Sequence, residues 1–431
     1  MTKGGAINPT KRKYSTHNNL PKMKNQKNSL TTKEYLIPFI LITSLFFLWG
    51  FARAILDVMN KHFQNELNIT ITHSALVQVT TYVGYFLMAI PAGWFINRQG
   101  YRLGVILGLM LFAIGALMFI PGALAGEFYI YLAALFIIGC GLVFLETSAN
   151  PYATELGDRS TATSRLNFSQ SFNGLGGLCA TFFVGRFLFR EEANSNDVVF
   201  PYAILAFVVI VIAVIFTRVN LPEIKIDKKD DKINVEGETR IYQLFHHHPM
   251  FVFGLLTLLA YEIAEISINS YFINYVTAKG WMSDSRASDV LTIALGFFMV
   301  GRFIGCWIMQ RVKAETVLLV CAAGSVCCIG LVLLNLGYIS MVALVANYVF
   351  EAIMFPTIFS LSLRGLGSLT KSASSLLMMT PIGGCGFLLM GLIADSTQMA
   401  GLPFVIPFLG YCTVLIFASE LSRPSNCRIK E

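Results

Sequence analysis

Residues 130–152 read IYLAALFIIGCGLVFLETSANPY. From Ile130 to Leu145 no side chain is charged and none carries an amide; Glu146 then stands in the same apolar setting, with Asn150 one turn later. The whole run, 127–152, has the length a helix needs to cross roughly 30 Å of hydrocarbon, about 20 residues. In that solvent each unpaired backbone group costs several kcal/mol, so a crossing segment is a helix or part of a closed barrel. Barrel strands alternate apolar and polar residues in short pieces, whereas this run is continuous. It reads as a membrane-spanning helix with a carboxylate inside it.

Moving outward, the same texture covers most of the 431 residues, of which 55% are hydrophobic and only 13% charged, with a mean hydropathy of +0.63. An average globular sequence carries roughly a quarter charged residues. About twelve such runs are expected by the length criterion, at 36–60, 74–97, 101–122, 127–152, 166–189, 200–219, 249–277, 287–310, 315–335, 338–362, 372–395 and 402–421. Connections are short except 220–248, which carries Glu223, Lys225, Asp227, Lys228, Lys229, Asp230, Asp231 and Lys232. The chain is therefore expected to comprise a basic disordered tail (1–34), a six-helix bundle (35–219), a charged cytoplasmic linker (220–248), a second six-helix bundle (249–422) and a short cytoplasmic tail (423–431). The fold class is an all-α membrane protein with twelve transmembrane helices.

The formal net charge of +7 is concentrated before the first run, at Lys3, Lys11, Arg12, Lys13, Lys22, Lys24, Lys27 and Lys33. This segment lacks the apolar residues to fold alone, and it points to membrane orientation rather than to nucleic acid. It does not resemble a cleaved signal peptide, because the run after it is too long and no small-residue cleavage site follows. Arg98, Arg102, Arg159, Arg165, the linker lysines, Arg311, Lys313, Arg364, Lys371 and Arg423 fall on the tail's side. Lys61, Arg186, Arg190, Lys279 and Arg286 fall on the other. The bias places both termini in the cytoplasm. Nine cysteines, an odd number and mostly within apolar runs, with no CxxC or Cys/His cluster, argue against disulfides and zinc. His246–His248 reads as an interfacial segment, so no metal and no cofactor is expected.

The halves echo each other. Gly93–Trp94–Phe95–Ile96–Asn97–Arg98 closes the second run, and Gly305–Cys306–Trp307–Ile308–Met309–Gln310–Arg311 closes the eighth, its counterpart. Two such turns at equivalent places are what a duplicated six-helix unit leaves, with pseudo-two-fold symmetry.

A charge at mid-membrane costs at least about 2.5–3.5 kcal/mol, so each is a functional candidate. Asp57 follows Arg53 by one turn in the first run; Glu146 and Asn150 share a face of the fourth; Gln170 and Asn173 share one of the fifth. Glu262, Glu265 and Asn269 form a stripe on the seventh at i, i+3, i+7, and Asn347 and Glu351 lie one turn apart on the tenth. Residues at these spacings point the same way, and such faces avoid lipid by converging on a polar cavity near the midplane. Two readings stay open beside this one. Amides serve elsewhere as glue between helices, worth about 0.6 kcal/mol on average, and Arg53 and Asp57 could simply neutralise each other. No GxSxG elbow or P-loop points to an enzyme.

Several segments together resemble the fucose–galactose–glucose:proton symporter family of the major facilitator superfamily. They are Phe47–Leu48–Trp49–Gly50–Phe51 with Asp57, Gly84–Tyr85–Phe86 with Pro91–Ala92–Gly93, and Leu145–Glu146–Thr147–Ser148–Ala149–Asn150–Pro151–Tyr152. Arg165–Leu166–Asn167, Gln170, Phe172–Asn173, Gly301–Arg302–Phe303–Ile304–Gly305 and Phe355–Pro356–Thr357–Ile358–Phe359–Ser360–Leu361 continue the series. Ala264–Glu265–Ile266–Ser267–Ile268–Asn269–Ser270–Tyr271 is similar to the glucose/galactose branch.

The resemblance implies the major facilitator fold and sugar uptake coupled to protons by alternating access. Asp57 and Glu146 match the family's two membrane carboxylates; Gln170 and Asn173 match positions associated with the sugar. Arg53 and Leu56 depart from the small or amide residues of the family. A cation one turn from Asp57 would hold that carboxylate ionised and leave the proton to Glu146, or would receive an acidic sugar. The expected protein is thus a monosaccharide:proton symporter in the bacterial cytoplasmic membrane, multi-pass and monomeric. Glu146 and Asp57 would couple the proton, with sodium open as the ion. Gln170, Asn173, Glu265, Asn269, Asn347, Arg53, Glu262 and Glu351 would contact the sugar. An acidic or N-acetylated amino sugar is the alternative substrate, and a non-transporting sugar receptor the alternative class.

Overall fold

A computed structural model describes residues 31–157, 162–190, 194–219, 242–278, 280–309, 311–366, 369, 373 and 376–423. The expected basic tail up to residue 30, most of the charged linker and the last eight residues lie outside the described residues. The helical columns, in chain order, are α1 (Leu36–Leu67), α2 (Leu76–Gln99), α3 (Tyr101–Leu117, prolonged by Phe119–Ala125) and α4 (Phe128–Glu155). Next come α5 (Ala162–Cys179, carried through a π turn at Ala180–Val184 to Gly185–Leu188) and α6 (Val199–Arg218). The second half supplies α7 (Pro249–Ala278), α8 (Asp284–Met309), α9 (Ala314–Leu333) and α10 (Tyr338–Glu351, resumed at Met354–Ser362). It ends with α11 (a 3-10 stretch, Thr380–Cys385, leading into Gly386–Thr397) and α12 (Val405–Ser422).

Among the described residues, ten of these are long and apolar enough to cross a membrane. The exceptions are α5, diluted by Ser164, Arg165, Asn167, Gln170 and Asn173, and α11, whose helix proper is short. Several expected limits move by a few residues, and two differences have a clear cause. The first helix runs to Leu67 rather than residue 60, because Lys61, Gln64 and Glu66 mark its exit from hydrocarbon, not its end; Asn68 ends it in a left-handed conformation, φ 50°. The tenth is broken after Glu351. Pro356 has no N–H to offer the Ala352 carbonyl four residues back, and Arg302 Nε of α8 takes that carbonyl instead at 3.2 Å. The Tyr261 hydroxyl of α7 donates to the Glu351 carbonyl at 3.1 Å.

Two buried cores form. One runs from Phe39 to Phe216 and so belongs to α1–α6. The other runs from Leu244 to Ala418 and takes in only Val58 and Ala75 from the first half. Within the first bundle α1 and α5 touch backbone to backbone, which glycine permits. A Cβ at Gly50 would lie 2.0 Å from the Asn173 carbonyl oxygen, and one at Gly176 2.1 Å from that of Phe47. The duplicated turn is visible as duplicated packing. Arg98 stacks on Trp94 at 4.2 Å and Arg311 on Trp307 at 4.5 Å, at equivalent ends of α2 and α8 and on the side where α1 begins and α12 ends.

At the opposite, far end the halves are joined. Asn65 Nδ2 donates to Asp284 Oδ2 at 2.6 Å, and Arg186 pairs with Asp289 at 3.1 and 3.3 Å. The Thr72 and Ile71 amides donate to the Asp395 carboxylate at 2.8 and 3.3 Å. Ser288 Oγ donates to the Thr181 carbonyl at 2.9 Å, and Thr292 to the Thr181 hydroxyl at 2.8 Å.

Candidate functional site

Arg53 lies midway along α1 and sends its guanidinium across to α7 in the other half. Nη2 is 3.3 Å from Glu265 Oε2 and 3.6 Å from Glu262 Oε2. The i, i+3 stripe read from the sequence therefore faces a single cation. Glu262 is 2% exposed, while the Arg53 side chain keeps 29% of its surface. Arg53 also acts electrostatically on Asp57 and on Glu146 of α4, and Glu146 in turn acts on Glu262. Four carboxylates, two from each half, thus surround one arginine, with the Tyr82 hydroxyl of α2 beside it.

The alternative of a closed Arg53–Asp57 pair is not what forms, although Arg53 acts on Asp57 at longer range. Asp57 Oδ1 accepts from Ser270 Oγ of α7 at 2.7 Å and from Gln78 Nε2 of α2 at 3.1 Å, and Gln78 also donates to Ser270 at 2.7 Å. The reason is direction. Helical side chains lean toward the N-terminus, so a cation that precedes its anion reaches away from it, the poorer of the two orders at i, i+4. In this structure the Arg53 guanidinium faces Glu265 and Glu262 of α7.

Gln170 Nε2 donates to Asn150 Oδ1 at 3.4 Å, which puts it one turn from Glu146. Asn173 Nδ2 donates to the Phe46 carbonyl at 3.4 Å, tying α5 to α1. Among the described residues, Glu146 Oε2, Glu262 Oε2, Asn269 Oδ1 and Gln78 Oε1 are buried acceptors without a hydrogen-bond donor. Left so, each costs about 1–3 kcal/mol. A ligand that brings O–H or N–H donors would satisfy these four.

Although Glu351 lies within electrostatic reach of Glu265, Asn347 and Glu351 make no hydrogen bond or ion pair with Arg53. Both are fully buried and bonded to each other and to Tyr411 of α12, behind α7. Sequence reading missed Gln78, Ser270, Tyr261 and Tyr411. Gln78 carried a signal, an amide inside an apolar run. Ser270 carried none, because hydroxyls in spans commonly bond their own helix.

A family model, Major Facilitator Superfamily, matches residues 42–388. This chain belongs to the major facilitator superfamily. Within the superfamily it is 33% identical over 395 residues to the glucose/galactose transporter of Brucella abortus, covering 89% of this chain and 94% of that one. It is 32% identical over 431 aligned residues to the L-fucose-proton symporter of Escherichia coli, covering 93% and 96%. The crystal structure of the major facilitator transporter FucP in the outward conformation superposes with a TM-score of 0.69 at 30% identity, covering 91% of this chain and 100% of that one. A crystal structure of a D-xylose-proton symporter gives a TM-score of 0.71 at 13% identity, a likeness of fold. The chain is a multi-pass membrane transporter of this superfamily and not an enzyme.

Proposed function

We propose that this transporter carries a neutral monosaccharide of the hexose or deoxyhexose class together with a proton, inward across a bacterial cytoplasmic membrane. The observation that carries the reading is the cluster itself: one arginine among four carboxylates drawn from both halves, with unpartnered acceptors around it. Sugar hydroxyls supply the donors those acceptors lack. The named relatives, a glucose/galactose transporter and an L-fucose-proton symporter, agree with this ligand and with the proton as coupling ion.

The arginine gives the coupling a physical form. Arg53 is attracted to Asp57 and Glu146 on its own half and to Glu262 and Glu265 on the other. A unit charge about 6 Å away at an effective dielectric constant near 20 is worth about 3 kcal/mol, roughly a hundredfold in an equilibrium. Protonating Glu146 removes one attraction on the first half and favours the pairing of Arg53 with α7. That pairing goes with the joined far end, so a proton bound from outside favours the inward-facing arrangement. Release to the cytoplasm restores the Glu146 charge and lets the halves rock back about the midplane site. Sugar contacts are assigned to Glu146, Asn150, Gln170, Glu265 and Asn269, with both termini cytoplasmic and bundles at 35–219 and 249–422. The transporter acts as a monomer.

Counterflow in proteoliposomes with a panel of hexoses, deoxyhexoses, amino sugars and uronic or sialic acids tests the reading. Exchange of a neutral sugar without sodium dependence is expected. Exchange of acidic sugars alone would refute it.

A further inference from the structure

Outside the Arg53 cluster a second carboxyl is sealed in the other half, at the point where α10 breaks. Glu351 has no exposed surface, and its Oε2 accepts from the Tyr411 hydroxyl of α12 and from Asn347 Nδ2 at 2.7 Å. Asn347 Nδ2 also donates to the Tyr411 oxygen at 3.1 Å. Two acceptor atoms are left over, Glu351 Oε1 and Asn347 Oδ1, both buried and both without a donor. They belong to the same carboxyl–amide pair, one turn apart. A single proton on Glu351 Oε1, donated to Asn347 Oδ1, gives both a partner and completes the two-bond ring that a neutral carboxylic acid forms with a primary amide.

The surroundings favour that state. Tyr411 comes from α12, Tyr261 and Glu265 from α7, Cys328 from α9 and Tyr348 from α10 itself. None of these supplies positive charge. Arg302 of α8 bonds the Ala352 carbonyl and stacks on Phe298 at 4.8 Å, and among the described residues Glu351 has no ion-pair partner. A bare carboxylate buried without a cation is costly by several kcal/mol.

We infer that Glu351, with Asn347 and Tyr411, is a proton-binding site of the second half, seated at the α10 break. The inference rests on the transport reading only for its use in the cycle. The proton comes from the medium, forms the Oε1–H bond and leaves by the same atom. Its loss would leave Asn347 Oδ1 without a partner and put an uncompensated charge beside Glu265.

The test is infrared difference spectroscopy, acid minus alkaline, on the full-length transporter in liposomes, for the native chain, Glu351→Gln and Asn347→Leu. Expected is a protonated-carboxyl band that is lost in Glu351→Gln and shifted in Asn347→Leu, where the amide partner is gone. A native spectrum identical to that of Glu351→Gln would overturn the proposal. So would a native band bleached by sodium at fixed pH, which would make the site a metal-cation site. Counterflow gives a second readout in the Glu146→Gln background, which exchanges sugar without the first proton: exchange falls there as rising pH empties the Glu351 site, whereas the double variant with Glu351→Gln, permanently neutral, shows no such fall. Parallel profiles overturn the role in the cycle. A native chain that exchanges no sugar but keeps the band would remove the sugar reading and leave the proton site standing.

Discussion

Arg53 is the residue on which the site turns, and helical spacing alone left its partner open. Spacing shows which residues share a face, here Arg53 with Asp57 and Glu262 with Glu265. It does not show that the guanidinium leans toward the N-terminus and crosses to α7. The carboxylates themselves were legible, because each is costly in hydrocarbon. Of the two groups that hold Asp57, the Gln78 amide stood out in its apolar run and was passed over, whereas the Ser270 hydroxyl did not stand out, since hydroxyls in spans commonly bond their own helix. Removing one partner of a buried ion pair costs about 3–5 kcal/mol. Arg53→Leu should therefore lower the melting temperature of the purified protein markedly, and adding Glu262→Gln and Glu265→Gln should recover part of the loss. Equal melting temperatures for the single and triple variants would mean that Arg53 and α7 are not coupled.

Elements were legible wherever apolar length decides. The apolar runs of the sequence became the helices of the bundle, including α4, whose residues 130–152 carry both the span and Glu146. The ends were less legible: α1 continues as helix into water up to Leu67, and α10 breaks where proline frees a carbonyl that side chains of other helices then take. The tight contact of α1 with α5 depends on glycine at Gly50 and Gly176. Gly50→Ala would push a methyl against backbone that cannot rotate away, an overpacking cost of about 1–3 kcal/mol. A melting temperature well below native is expected for it. Gly93→Ala, where nothing lies within 4 Å, is the control and should melt as the native protein does.

For the whole molecule, the duplication was readable because Trp94–Arg98 and Trp307–Arg311 are spaced alike, and they pack alike. Conformation was not readable, because one sequence encodes both ends of an alternating-access cycle. The far-end bonds of Asp284, Asp289 and Asp395 make that end the closed one here. An exposed pair of this kind contributes about 0.2–1 kcal/mol, enough in combination to shift a near-balanced equilibrium several-fold. Asp289→Ala combined with Asp395→Asn should widen the spin-label distance between the far ends of α5 and α8 in a larger share of molecules; an unchanged distance distribution would show that these bonds do not latch the halves.

The most direct test is proton uptake measured on adding sugar to proteoliposomes, for the native chain and for Glu146→Gln. The native protein should take up protons with sugar. Glu146→Gln should lose that uptake while still exchanging labelled sugar. Undiminished proton uptake by Glu146→Gln would contradict coupling through the Arg53-centred cluster.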